Sequence, residues 1–200
     1  MVIENHKEEV PLAHYQALFR QADADEICTR LPFVRRQGSA LTLRLLGKIY
    51  RIENGSVTAE TGEIPPKQVQ TFLLRFLLEG KNEPFPGEWK TFRELPWGTV
   101  YLSPYTGRIL RRAAFAFGTR LDDFRTAAEN LGGLPLQKGD AGYQFDLIGD
   151  YRLRLLVWEG DEEFPPNAQL LYSANFGPGF AAEDRVVAGE LLIGALRNYF

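Results

Sequence analysis

The sequence predicts an α+β fold, antiparallel strands flanked by helices, and three observations predict it. Apolar residues recur at spacings of three and four along several stretches, the period of a helix buried on one face. From Ala40, and again from Tyr151, the period drops to two, that of a half-buried strand. Between the early strands stand Gly47 and the dipeptide Asn54-Gly55, turn residues that reverse a chain within two positions and so make neighbouring strands antiparallel.

Leu12, Tyr15, Phe19 and Ala22 mark a first helix, with Pro11 in its first turn, where the missing N–H costs nothing. Asp23 predicts the N-cap of a second helix, with Glu26 three residues later, Ile27 and Leu31 facing inward and Pro32 as the stop. Leu41, Leu43 and Leu45 then face one way and Thr42 and Arg44 the other. Gly47 turns the chain into a strand through Tyr50 and Ile52, and Asn54-Gly55 leads to a third strand near Val57. After Pro65-Pro66, the run Val69, Phe72, Leu73, Phe76 and Leu77 predicts a buried helix closed by Gly80. Residues 81–102 carry Phe85, Trp89, Phe92, Trp97 and Tyr101 among prolines and glycines, so this connection packs down rather than floating as a solvated linker.

Ser103-Pro104 predicts the cap and first turn of a helix ending near Gly118. Leu121, Phe124, Ala128 and Leu131 repeat the helical spacing, with Asp122 and Asp123 in the favourable first turn and Gly132-Gly133 as the stop. Strands follow at 143–147, 151–158 and 168–172, and the stretch from Asp184 to Asn198, apolar on most sides, predicts an interior helix.

The 200 residues predict one domain spanning 1–200, large enough for a core without staples. Two readings of its internal organisation stand. Leu31-Pro32 recurs as Leu134-Pro135, Leu43–Gly47 as Phe145–Gly149, and Ile64-Pro65-Pro66 as Phe164-Pro165-Pro166. These landmarks fit an internal duplication of a helix–hairpin–strand unit, with halves 11–102 and 103–200 and any pocket between them. They fit equally a chance alignment of common punctuation.

Composition removes several classes of function. The single cysteine, Cys28, excludes an intramolecular disulfide, a Cys-based zinc site and an iron–sulfur cluster held by this chain alone. A net charge of −3 argues against nucleic acid or an anionic membrane as the general partner. No run of eighteen apolar residues spans a membrane, and the polar start Met1–Glu9 is no signal peptide, so a cytoplasmic location is expected. His6 and His14 lack metal-ligand spacing. Gly177-Pro178-Gly179-Phe180-Ala181-Ala182 satisfies a dinucleotide fingerprint, but Pro178 removes a phosphate-facing N–H and too little chain follows for the second strand. It reads as a strand-to-helix connection.

Two features remain that could carry chemistry. In Trp158-Glu159-Gly160-Asp161-Glu162-Glu163-Phe164-Pro165-Pro166, four carboxylates crowd the end of an apolar strand. They read as ligands for a hard divalent cation, with Asp161 and Glu163 foremost, as a general acid, or as a solvated cap on the strand. Arginine outnumbers lysine 17 to 6, and Arg108, Arg111 and Arg112 share a helical face, with Arg120 and Arg125 following. Guanidinium forks suit carboxylates and phosphates, while the plain alternative is a solvated charged face.

The string Trp158–Pro166, with Asn175-Phe176, Glu183-Asp184, Gly189-Glu190 and Leu191-Leu192, resembles an uncharacterised family of bacterial and archaeal proteins, a domain of unknown function frequent in anaerobes. Glu94-Leu95-Pro96-x-Gly98 and the helix up to Phe117-Gly118 extend the resemblance over most of the chain. The resemblance implies relatives with an attached cysteine-rich iron–sulfur segment, or a setting near corrinoid or one-carbon metabolism. These 200 residues contain no such segment, and the family supplies no catalytic residues or cofactor to carry across. It does raise the weight on the acidic string.

Three functions follow as expectations. The first is a binding or accessory module for a small anionic molecule or cofactor, held by Arg108, Arg111 and Arg112 with rings from 85–101, and with Trp158 as a further contact. The second is a metal-assisted hydrolase or transferase using Asp161, Glu162, Glu163, Asp184 and Glu190. The third is a homodimer or a protein that docks a partner.

Overall fold

The computed structural model describes residues 9–200, and only the backbone of Glu9 and Val10. The polar start and His6 lie outside the described residues. The chain divides at Asn82/Glu83 into two compact units.

The first unit opens with α1 (Glu9–Phe19) and α2 (Ala24–Arg30). Asp23 caps α2 as the sequence predicts, its carboxylate accepting the N–H groups of Asp25 at 2.8 Å and Glu26 at 3.4 Å. Four strands follow as an antiparallel meander: β1 (Arg35–Gln37), β2 (Ala40–Leu45), β3 (Lys48–Glu53) and β4 (Ser56–Ala59). The second and third of its three hairpins close through left-handed residue pairs, Leu46-Gly47 and Asn54-Gly55. Asn and Gly accept that conformation readily, and Leu46 is carried into it by the glycine beside it. Leu41, Leu43, Leu45, Tyr50, Ile52 and Val57 are buried from the sheet, as are Phe72, Leu73, Phe76 and Leu77 of α3 (Lys67–Glu79). Arg30 donates to the free carbonyls at the end of α3, Leu77 at 2.7 Å and Leu78 at 3.3 Å, where the helix dipole is negative.

The second unit holds a five-stranded antiparallel sheet of order β5-β9-β8-β7-β6. Its strands are β5 (Trp89–Thr91), β6 (Leu134–Leu136), β7 (Ala141–Ile148), β8 (Tyr151–Trp158) and β9 (Asn167–Ser173). Tyr143, Phe145, Leu153, Leu155, Val157, Leu170 and Tyr172 alternate onto one buried face. Helices cover that face. α4 (Leu102–Tyr105) runs through a π-helical segment, Thr106–Arg111, into α5 (Arg112–Phe117), and this composite helix packs on β8 and β9. α6 (Leu121–Asn130) packs on β6 and β7. A short α7 (Phe176–Gly179) precedes α8 (Ala182–Arg197), which packs on the π segment and α6.

The fold is therefore α+β with two antiparallel sheets. Both units contain the order helix, three-residue strand, hairpin, strand, helix, but the second carries β5 and the α4–α5 helix ahead of it and interposes α7. The recurrent landmarks keep this order unevenly. The two Gly-turn hairpins coincide, but Pro65-Pro66 opens α3 whereas Pro165-Pro166 opens β9. Among the described residues no helix is long and apolar enough to cross a membrane.

One expectation shifts. The helix after the aromatic connection begins two residues earlier than a Ser103 cap predicts: Tyr101 occupies the N-cap position, and the Tyr105 N–H donates to the Tyr101 carbonyl at 3.0 Å. The backbone is already wound there, so Ser103 falls inside the helix.

Candidate functional site

The composite helix α4–α5 carries the site. Its inner side chains, Tyr105, Ile109, Ala113, Ala114 and Phe117, are buried. Its outer positions, Tyr101, Pro104, Arg108, Arg111, Arg112 and Phe115, are exposed at spacings of three and four. The predicted arginine face is thus a single solvent-facing stripe with a ring near either end. Phe115, in the last turn of the helix, is 65% exposed, unusual for so large an apolar side chain. The π segment that carries Arg108 and Arg111 widens the turn, a local irregularity found frequently at functional sites.

The arginines differ in what they do. Arg108 forms a fork with Glu190 of α8, Nε to Oε1 at 2.9 Å and an η nitrogen to Oε2 at 3.0 Å, and the Glu190 side chain is only 11% exposed. This pair staples the π segment to α8. Arg111 and Arg112 have neither a side-chain hydrogen bond nor an ion pair among the described residues. Two of the predicted site residues therefore meet as each other's partners, and two stand open to solvent.

Immediately before the helix, Leu95-Pro96-Trp97-Gly98 forms a β-turn closed by Gly98 N–H to the Leu95 carbonyl at 2.9 Å. Trp97 sits at its third position with φ +64°. Such a turn wants glycine or asparagine there, since a side chain costs about 1–2 kcal/mol in the left-handed region. The tryptophan is nonetheless 71% exposed, and Val100 and Tyr101 beside it are exposed too. Gly98 follows because a Cβ there would stand 1.8 Å from the Phe92 carbonyl oxygen. An exposed aromatic in a strained position, at a turn locked on both sides, is a local conflict between side chain and backbone.

The lock is a residue that the sequence reading passed over. Arg185 of α8 is buried at 2% exposure, and its guanidinium donates to four carbonyls: Pro96 at 2.5 Å, Gly177 at 2.9 Å, Phe180 at 2.6 Å and Phe176 at 3.1 Å. Burial pulls this group below its ordinary value, and neighbouring Tyr172 and Asp184 oppose the shift. The Tyr172 hydroxyl donates to the Arg185 carbonyl at 2.9 Å. Tyr105 stacks on Phe92 with ring centroids 4.0 Å apart, and its buried hydroxyl lies beside Tyr172 without a hydrogen bond of good geometry. Burial raises both phenols well above the usual tyrosine value. In sequence Arg185 follows Glu183-Asp184 in the first turn of α8, a setting that reads as a solvated charge cluster and gives no sign of this burial.

The other rings of the connection are spoken for. Phe92 is core, the Arg152 guanidinium lies 4.7 Å over Phe85, and that of Arg154 lies 3.8 Å over Trp89. The sequence groups these rings with Trp97 and Tyr101 as one aromatic cluster. The structure separates them.

The acidic string crosses the end of α5. Gly160 N–H approaches the Gly118 carbonyl at 3.3 Å, and a Cβ on Gly118 would stand 2.5 Å from Pro166. Asp161 accepts the N–H groups of Glu163 at 2.9 Å and Phe164 at 2.7 Å, so its carboxylate closes the turn. Asp161, Glu162 and Glu163 are exposed and make no ion pair among the described residues. Phe164 behind them is 66% exposed, and Trp158 is half-buried at the end of β8. Asp184 lies in the first turn of α8. Among the described residues no group of three or more His, Cys, Asp or Glu side chains is arranged to hold a metal ion.

A surface groove of about 340 Å³ lies between the α5–α6 junction and the end of β8, lined by Thr119, Arg120, Leu121, Asp122, Asp123, Arg125 and Glu159. Its cations are engaged. Arg125 pairs with Asp122 at 2.6 Å and donates to the Asp140 carbonyl at 2.8 Å, while Arg120 lies 3.6 Å from Asp123 and over the Phe200 ring. Of the acidic string, only Glu159 reaches it.

Compared with protein families, residues 23–195 match the model of a domain of unknown function, DUF3786. Neither the curated proteins nor the solved structures contain a match to the chain. The match spans most of the sequence, and the chain belongs to the DUF3786 family.

Proposed function

We propose that this DUF3786 member is a docking module, and that the outer face of α4–α5 with the Trp97 turn engages an acidic, partly apolar protein surface. The observation that carries this reading is Trp97, held exposed at φ +64° where the turn wants glycine. Tryptophan, tyrosine and arginine are the side chains that dominate the energetics of protein interfaces, and here they stand exposed within one segment, residues 97–115, with a solvent-exposed phenylalanine. Arg111 and Arg112 are free to pair with carboxylates. The surface is a convex helix rather than a cleft, which suits a protein partner better than a small ligand.

A lipid surface is the weaker fit. Two unpaired arginines supply about 1 kcal/mol each toward an anionic membrane, and the net charge of −3 opposes them. A second reading, a small polar ligand in the groove lined by Arg120, Arg125 and Glu159, rests on the concavity alone, since its charges are already matched.

Fluorescence anisotropy with labelled peptides that alternate glutamate and leucine tests the docking reading. Wild-type protein binds them, and the Arg111→Glu/Arg112→Glu double variant and Trp97→Ala each weaken binding about 10-fold or more. Equal binding by all three proteins would sink the proposal. A stability increase with small anionic metabolites, unaffected at Arg111 and Arg112 but lost in Arg120→Ala, transfers the site to the groove.

A further inference from the structure

The face that seeks an acidic, apolar partner lies one turn from a segment of that composition. The acidic turn carries three exposed carboxylates at Asp161, Glu162 and Glu163 and an exposed ring at Phe164. The helix face carries two exposed guanidinium groups at Arg111 and Arg112 and an exposed ring at Phe115. Neither set is ion-paired among the described residues. Gly118 is the seam between them, its carbonyl 3.3 Å from the Gly160 nitrogen. Arg111 stands seven residues before that seam, about 10 Å of helix rise.

A surface with adjoining patches of opposite charge is self-complementary under a two-fold rotation, because each patch then faces the other patch of its partner. We propose that this face closes on a second copy of the chain. Arg111 and Arg112 of each copy meet the Asp161–Glu163 turn of the other, and Phe115 packs against Phe164. The inference rests on the docking reading and names its partner.

Two features of the chain favour this occupant over a foreign one. The charges match in kind and nearly in number, and each patch brings one large ring that the fold leaves in water. The turn is also preformed: Asp161 holds it through two backbone N–H groups, so docking orders few new residues. Its size sets its strength. Four rings, each with about 130 Å² to cover, give roughly 500 Å² of apolar burial, the range of transient rather than obligate interfaces. The charged part weakens with salt as the screening length falls.

Sedimentation velocity on the full chain tests the proposal by charge reversal. Wild-type protein shows a monomer–dimer equilibrium that shifts toward monomer in high salt. The Arg111→Glu/Arg112→Glu variant and the Glu162→Lys/Glu163→Lys variant are each monomeric, because like charges face each other in either homodimer. Mixed in equal amounts, they associate again, since both contacts of the mixed dimer then pair opposite charges. Circular dichroism melts near wild type show that both variants are folded. A wild type that stays monomeric at high concentration and low salt overturns self-association. So does failure of the mixture to associate while wild type dimerises. If monomeric wild type still binds the glutamate–leucine peptides through Arg111 and Arg112, the docking reading survives and only the identity of the partner falls. Retention of that monomer on phosphatidylserine vesicles through the same arginines assigns the face to lipid and overturns both.

Discussion

Substituting Trp97 isolates the cost of its backbone from its role in binding. Replacing it with alanine or with glycine removes the same indole, and with it the same modest burial of a side chain that is 71% exposed. The two variants differ only in how the new residue tolerates φ +64°. Alanine keeps the left-handed penalty of about 1–2 kcal/mol, while glycine is free of it but loses about 0.5–1 kcal/mol through the greater freedom of the unfolded chain. Trp97→Gly should therefore be more stable than Trp97→Ala by about 0.5–1 kcal/mol, against the usual order of these residues. In a chain of this size that is a difference of about 1–4 °C in Tm. Urea unfolding of both variants, followed by far-ultraviolet circular dichroism with the slopes compared, measures it directly. An alanine variant as stable as the glycine one would refute the assignment of strain. Both variants should lose peptide binding, because the indole and not the turn makes the contact; binding retained in Trp97→Gly would remove Trp97 from the interface.

Three further expectations follow from the same unit. Arg185→Met removes the donor that four carbonyls share at the heart of the second unit and should destabilise that unit by about 3–5 kcal/mol, with Arg185→Lys recovering part; urea midpoints check this, and a loss below 1 kcal/mol would refute the anchor. Asp161→Asn should keep the acidic turn, because the amide oxygen still accepts from Glu163 and Phe164, whereas Asp161→Ala costs about 1 kcal/mol; equal losses in the two would show that charge, not acceptance, matters. Tyr105 and Tyr172 are held neutral by burial above the ordinary value of 10.0, so their contribution is fully present below about pH 10 and is lost as pH rises beyond it. Tyrosinate absorbance from these rings should appear together with unfolding, and independent titration in a folded protein would contradict the buried placement.

Much of the scaffold was legible because its signals are local. Asn54-Gly55 and Gly47 specify tight reversals by their backbone preferences alone, and Asp23 caps α2 through its own short side chain. What stayed hidden depends on partners distant in the chain. β1, β5 and β6 are each three residues long, too short to show a period, and exist because a neighbouring strand offers hydrogen bonds. Arg108 looks the same in sequence as Arg111 and Arg112, yet its partner Glu190 lies 82 residues away. The aromatic connection reads as one cluster, but Phe92 is core, Phe85 and Trp89 lie under guanidinium groups, and Trp97 and Tyr101 face water.

That separation is what turns the arginine bias into a functional argument. An unpaired exposed arginine carries little meaning alone, since solvated charged faces are common. Here the fold engages several arginines in its own structure: Arg30 at a helix end, Arg108 against Glu190, Arg152 and Arg154 on rings, and Arg185 on four carbonyls. Arg111 and Arg112, unengaged among the described residues like Arg35, Arg44, Arg93 and Arg197, differ in standing beside a phenylalanine that the core did not take, in a helix widened by a π turn and preceded by a strained tryptophan. Each of these departs from what stability alone selects: a buried ring, an unstrained turn, a regular helix. Departures of this kind within one segment, residues 97–115, share a cause more economically than they arise separately, and the proposed docking surface would account for all of them.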